Sequence, residues 1–305
     1  MSQSVPELSP HGEMSMEGVS AKEKQTQVTA WKIFKSDKIN MISLYVLILL
    51  MVIAIFAPLI VPHDPLEQDI ANRMAPPSAE HWLGTDLHGR DVFSRIILGS
   101  QTSLFVGFSS VLISSVIGTV IGMVAGYKGG LLDEILMRIL EAIMSIPMLL
   151  LGLMLLVALG SNMTTLIIAL SIGLMPSCAR IARGPTMELK EKEFVKAAIA
   201  SGSNSFKILF QHILPNILGP VLVISTLHMA SAIRVEASLS FLGLGVQPPT
   251  PTWGNMIYDG MRFITTSPGL AIYPGIALMI VVIAFNIVGD GLRDALDPHI
   301  KRQRK

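Results

Sequence analysis

Charge is scarce in this sequence. Only 15% of its 305 residues are Asp, Glu, Lys or Arg and 51% are apolar, where soluble domains carry about a quarter charged residues. That apolar excess is too large for an ordinary soluble core. The net charge is only +1, so no basic field exists to attract nucleic acid. A single cysteine, Cys178, excludes an internal disulfide. It lies in an apolar run, where a packed, inert thiol is expected. No Gly-x-x-x-x-Gly-Lys-Ser/Thr loop occurs, so ATP is not bound here in the P-loop manner. No Ser/His/Asp or paired-carboxylate arrangement marks a catalytic centre. Aromatics make up 6% while there are 18 methionines. Met148 and Met154 suit either a permissive path or lipid and core packing.

What is abundant is apolar run length. A membrane helix needs roughly 20 apolar residues. Ile39 to Val61 and Ser103 to Tyr127 are free of charge and long enough. A third run, from Ile135 to Ala158, carries Arg138 and Glu141 in its first turns. A fourth covers Thr164 to Ala182, a fifth Pro215 to Ile233, and a sixth Leu270 to Val288. The expected fold is all-α and polytopic, with six membrane helices and both termini on one side.

Lys and Arg choose that side. The N-terminal tail holds Lys22, Lys24, Lys32, Lys35 and Lys38. The loop after the fourth span holds Arg183, Lys190, Lys192, Lys196 and Lys207, and the C-terminal tail Arg293, Lys301, Arg302, Arg304 and Lys305. The long loop after the first span is instead rich in Asp and Glu. Both termini are therefore expected in the cytoplasm of a cell bounded by this membrane. The organisation reads as a cytoplasmic tail (1–37, polar and disordered over 1–27), an anchor helix (38–62), a periplasmic loop (63–102), a permease core (103–296) containing a cytoplasmic loop (184–215), and a short tail (297–305). The first apolar run is too long and begins too late for a cleaved signal. Trp31 and Phe34 suit the cytoplasmic interface.

The cytoplasmic loop is the most patterned stretch. Glu193 to Ala200 has good helix formers, with an apolar stripe at Phe194, Ala197, Ala198 and Ser201. Gly202 suits a positive φ that ends a helix. Ser203 or Asn204 can cap the next, and Pro215 marks a break before the fifth span. The pattern predicts a helix–turn–helix elbow whose small Ala197 and Ala198 admit a close-fitting partner.

This loop resembles the "EAA" loop of importer permeases, whose pattern is Glu-Ala-Ala, three residues, Gly, then Ile-x-Leu-Pro. Here it reads Lys196-Ala197-Ala198, Gly202 and His212-Ile213-Leu214-Pro215, with Lys196 in place of Glu and His212 in place of Ile. Three further stretches resemble the C-type permeases for dipeptides, oligopeptides and nickel. They are His81 to Arg95, Ala237 to Gly245 with Gln-Pro-Pro-Thr-Pro-Thr-Trp-Gly254, and Gly289 to Pro298. The resemblance implies a type I ABC importer permease fold and a peptide cargo. It implies as partners a second, different permease subunit, two ATPase subunits and a periplasmic or lipid-anchored substrate-binding protein, all in contact with inner-membrane lipid. ATP and Mg would sit on the ATPases, with no cofactor on this chain. The ATPase-coupling residues would be Glu193, Lys196, Ala197, Ala198, Gly202, Leu214 and Pro215. The same machine with nickel or a glutathione-like cargo, or an ATP-independent transporter, are the alternatives.

Polar groups within apolar spans are costly and need a reason. Arg138 and Glu141, three apart, share a helix face and can pair. Arg234 and Glu236, two apart, point to different faces, and either line a path or pair with another span. Asn286 carries the same ambiguity. Residues 235–246 are too short to span, hold two glycines and precede Gln247-Pro248-Pro249. They read either as a partly inserted segment beside the path, exposing Ser238 and Ser240, or as a continuation of the fifth span. His63, His81 and His88 share the outer loop with carboxylates, but their spacing matches no closed metal site.

Overall fold

The computed structural model describes residues 31–296; of the expected tails, residues 1–30 and 297–305 lie outside the described residues, while 31–36 are helical. Among the described residues the chain is helical, with no strand and one isolated bridge, Thr85 to Asp91. Five helices are long and apolar enough to cross a membrane, and six if one bent pair counts as a single span.

Helix α1, Lys38–Ile55, starts where Asp37 accepts a hydrogen bond from the Ile39 amide. It stops short of the expected Val61. Pro58 has no N–H to continue the ladder, so the chain re-forms only a short turn, Ala57–Ile60. Helix α2, Val92–Lys128, begins well before the expected Ser103 because the Asp91 carboxylate caps the Ser94 amide. Its 37 residues reach from the loop expected on the outer side to the turn at Gly129 expected on the inner side.

The third span departs most from expectation. It is not one helix from Ile135 to Ala158 but two, α3 (Gly130–Met144) and α4 (Met148–Leu159), bent by 87°. Pro147 breaks the ladder, and the Ser145 hydroxyl donates to the Ala142 carbonyl at 2.7 Å. Alone, the 12 residues of α4 rise about 18 Å at ~1.5 Å per residue, short of the ~30 Å hydrocarbon core. The pair therefore forms either a broken span or a re-entrant segment.

Helix α5, Met163–Lys190, is capped by Asn162 and continues past the expected Ala182. A loop carries α6, Glu193–Ala200. Pro215 does not interrupt the fifth span. A helical start at Ser205–Lys207, a π-helical turn at Ile208–Ile213 and α7, Leu214–Phe241, run on as one 37-residue rod. The wide turn moves the Leu214 amide onto the Leu209 carbonyl, and the Asn216 side-chain amide donates to the His212 carbonyl at 2.7 Å, so the helix runs on through the proline. Helix α8, Trp253–Met261, lies across the outer end, and α9, Gly269–Leu296, is the last span.

Helices in lipid gain little from apolar burial against one another; close approach decides their packing. The central pair is α2 and α5. On α2, Gly118, Gly122 and Gly126 recur every fourth residue and so share a face. A Cβ on Gly118 would lie 2.7 Å from the Met175 carbonyl oxygen, one on Gly122 2.1 Å from that of Ala179, and one on Gly126 2.8 Å from that of Arg183. These partners are likewise four apart and run in the same order, so the two helices are parallel and their backbones touch along two turns.

Candidate functional site

Two places gather the residues singled out above. The first is the elbow. Gly202 has a φ of +79°, which ends α6, and its Cβ position faces open space. Asn204, rather than Ser203, caps the next helix by accepting from the Lys207 amide at 2.8 Å. Val195, outside the expected stripe, anchors α6: it is fully buried. It joins Met123 of α2, Ala182 of α5, and Ile208, Leu209, Ile213, Ile217 and Val221 in one apolar cluster. Of the stripe only Ala198, partly buried, packs against the same cluster. The elbow is thereby rooted on the ends of three spans, on the side expected to be cytoplasmic. Its outward side stays apolar, with Phe194, Ile199 and Phe206 exposed and Ala197 open beside them. Lys196 pairs with Glu191 at 3.0 Å, both largely exposed. Such a pair contributes about 0.2–1 kcal/mol at most. Lys196→Glu is therefore expected to keep transport within about twofold of wild type, measured as uptake in intact cells. Leu214 and Pro215 sit at the root, where the π turn meets α7.

The second place is the end expected to be outer, where the first two signature stretches, around His81 to Arg95 and Ala237 to Gly254, converge, while Gly289 and Gly291 lie against Leu227 and Asn40 instead. Glu236 is wholly buried; its Oε1 accepts from the Ser240 hydroxyl at 2.8 Å, while Oε2 has no partner among the described residues. Ser103 of α2 accepts from the Trp253 amide at 3.4 Å, and the indole donates to the Ile96 carbonyl at 3.1 Å. Gly254 presses on the Ala237 carbonyl and Ser240, where a Cβ would sit 2.6 Å away. The outer loop is knotted by Asp86, which pairs with Arg90 at 2.7 Å and Arg95 at 3.4 Å, while Arg95 also donates to the Pro65 carbonyl. The stretch around His81 to Arg95 thus fastens the loop onto the start of α2.

The five path candidates do not come together. Residues 235–241 continue α7, and the chain leaves it at Gly243 (φ +81°), with the Leu244 amide on the Leu239 carbonyl. This is the continuation reading; the backbone satisfies itself and needs no cavity. Glu236 and Ser240 face inward to each other. Arg234 and Ser238 lie on the other face, the Ser238 hydroxyl on the Arg234 carbonyl at 2.8 Å and the guanidinium on Ser231 at 3.0 Å. Asn286 sits apart on α9, half-buried. In a Cys178→Ser background, a membrane-impermeant thiol reagent is expected to modify Ser238→Cys and to leave Ser240→Cys, only 2% exposed in wild type, unmodified. Equal modification of both would show that α7 does not present these faces.

The histidines and the cysteine find partners that spacing did not reveal. His63 and His81 do meet, their rings 4.8 Å apart, and with Asp91 they bring three potential ligand atoms within 4.8 Å of one another. Each is already engaged: His81 with Asp91 at 3.0 Å, His63 with the Glu80 carbonyl at 2.9 Å. His88 instead meets Arg90 at 3.1 Å. Cys178 is buried, 3.5 Å from His228, whose other ring nitrogen meets Ser177 at 2.7 Å. That polar cluster between α5 and α7 had no signal in the sequence beyond one histidine in a span. The glycine ladder did have one, a four-residue small-residue period.

Relatives of known family decide what this architecture is. Residues 118–302 match the family described as "Binding-protein-dependent transport system inner membrane component". This chain belongs to that family. Residues 28–77 match the N-terminal transmembrane domain of oligopeptide transport permease C. A dipeptide transport system permease protein of Alkalihalophilus pseudofirmus is 41% identical over 92% of this chain and 93% of its own length. Glutathione transport system permease proteins of Escherichia coli O157:H7 and Shigella sonnei are each 42% identical over 89% of this chain and 90% of theirs. Among solved structures, two inward-facing forms of the MetNI methionine ABC transporter share the fold. Their TM-scores are 0.52 and 0.54 at 19% and 20% identity, covering 66% and 67% of this chain and 96% and 97% of theirs. The permease is thus a multi-pass inner-membrane component of an ABC importer.

Proposed function

We propose that this permease moves peptides inward as one of two different membrane subunits, driven by two ATPase subunits and supplied by an external binding protein. The observation that carries the coupling part is the elbow. It exposes Phe194, Ala197, Ile199 and Phe206 on a segment expected in the cytoplasm, while Val195 roots it on the ends of α2, α5 and α7. An apolar face with no lipid to cover it needs a protein partner. A partner that shifts on binding and releasing ATP and Mg moves this root, and a small displacement at a packed interface switches a bundle between two states. The peptide cargo rests on the family relatives, since a dipeptide and glutathione share a peptide backbone.

The tagged chain, purified from its own cells in mild detergent, should bring down two ATPase subunits and a second permease. Reconstituted with the binding protein, the complex should take up a labelled dipeptide or tripeptide only with ATP. Uptake that continues without ATP would sink this reading. We also infer that both termini are cytoplasmic. A reporter active only in the periplasm should be silent after Lys305 and active at Glu80; the reverse pattern would invert the topology.

A further inference from the structure

Charge gathers at one spot on the apolar bundle, in the angle between α3 and α5. The Arg183 guanidinium grips Asp133 with two bonds of 2.6 Å, through Nε to Oδ1 and Nη2 to Oδ2. Arg138 meets Glu141 at 3.4 Å, both exposed. The third guanidinium, Arg180, has no carboxylate partner among the described residues. Its contact is the Met144 thioether, at 3.2 Å. Beside it opens a cavity of about 200 Å³ lined by Met137, Leu140, Glu141, Pro176, Arg180 and Arg183. The glycine ladder fixes its height. Arg183 lies opposite Gly126, close to the inner end of α2 at Lys128, whereas Cys178 lies opposite Gly118. Arg180 is therefore about one turn above the inner loops.

Five charged side chains on two facing helices cannot turn toward hydrocarbon; such groups face water or protein. Two of the three cations are matched. Arg180 remains, a planar fork suited to bidentate bonding of a carboxylate, beside an open cavity. We propose that Arg180 and this cavity form an anion subsite at the inner mouth that receives the carboxylate of the cargo as it leaves. The inference rests on the peptide reading above, because a peptide carries one such group at its C-terminus. Asp133 holds Arg183 in place as the cavity wall. Arg138 occupies Glu141, which reduces the repulsion that this carboxylate would offer the cargo. A phospholipid headgroup phosphate at the inner interface offers the same anionic chemistry, and the test separates the two.

The complete transporter is placed in vesicles of zwitterionic lipid alone and in vesicles containing phosphatidylglycerol. Uptake of one tripeptide is compared as the free acid and as the C-terminal amide, alongside binding-protein-stimulated ATP hydrolysis. Arg180→Gln should lower uptake of the free acid about tenfold in both lipids. It should change uptake of the amide by less than about twofold and leave hydrolysis intact. Arg180→Lys, which keeps the charge but not the fork, should recover part of the loss. Equal losses for acid and amide, or no loss, would overturn the subsite. A loss confined to vesicles with phosphatidylglycerol would assign Arg180 to a headgroup instead. Loss of assembly or of stimulated hydrolysis would assign it to a subunit contact. Wild-type vesicles that import neither peptide would sink the peptide reading itself, a result distinct from failure of the variant in vesicles that import both.

Discussion

Gly122→Ile is expected to leave almost no assembled permease. A Cβ at this position would lie 2.1 Å from the Ala179 carbonyl oxygen and 3.0 Å from the Ala182 Cβ. The first contact is with backbone, so no rotamer change relieves it. The helices must separate, and α2 and α5 form the central seam of the bundle. Overpacking a core by a methylene or two costs about 1–3 kcal/mol where side chains can adjust, and here they cannot. Separation would also open the two neighbouring contacts, at Gly118 and Gly126, because the three lie on one face. Gly184→Ala is the matched control: nothing lies within 4 Å of its Cβ position, and alanine is favoured over glycine in a helix by about 0.5–1 kcal/mol. The measurement is the yield and melting temperature of the detergent-purified complex. Wild-type values for Gly122→Ile would show that the two helices do not touch there.

Gly202→Val should uncouple transport from ATP hydrolysis while leaving the spans inserted. The φ of +79° at Gly202 closes α6 so that the chain can turn toward Asn204. Valine at positive φ is strained by its branched Cβ, by about 1–2 kcal/mol or more. Space is not the obstacle, since the Cβ position is empty. The strain is relieved by unwinding the end of α6 and freeing Val195 from the cluster beneath it. A shift of about 1.4 kcal/mol already changes an equilibrium tenfold, so uptake should fall at least about tenfold. Gly202→Asn separates geometry from chemistry, because asparagine tolerates the left-handed region. It should retain most of the uptake. If the valine variant transports at the wild-type rate, or the asparagine variant fails equally, the turn is not what couples the elbow.

Helix existence was legible wherever an apolar run exceeded the bilayer thickness, because that signal is one of composition and length. The boundaries were not. The early start of α2 at Val92 depends on the Asp91 cap, and its polar first turns are covered by the knotted outer loop. The elbow was readable because glycine, a capping residue and apolar positions at helical spacing act locally. Its anchor was not: Phe194, the residue singled out, stays 44% exposed and Val195 is buried, since only the neighbouring spans decide which side of an eight-residue helix faces in.

The sequence by itself determined that the chain is a helical membrane protein, how many apolar runs it has, and where a Gly-hinged elbow interrupts them. Those properties follow from apolar length, Lys and Arg placement and the φ freedom of single residues, all of which act over short distances. Only the tertiary structure decided that the third run bends by 87°, that Pro215 is absorbed into a continuous rod, and that Glu236 turns inward while Arg234 turns out. It also decided that Arg183 would find Asp133 and Arg180 would not find a carboxylate. The physical reason is that each of these outcomes depends on a partner group far away in the chain or on the packing of a neighbouring helix, and local pattern carries no record of either.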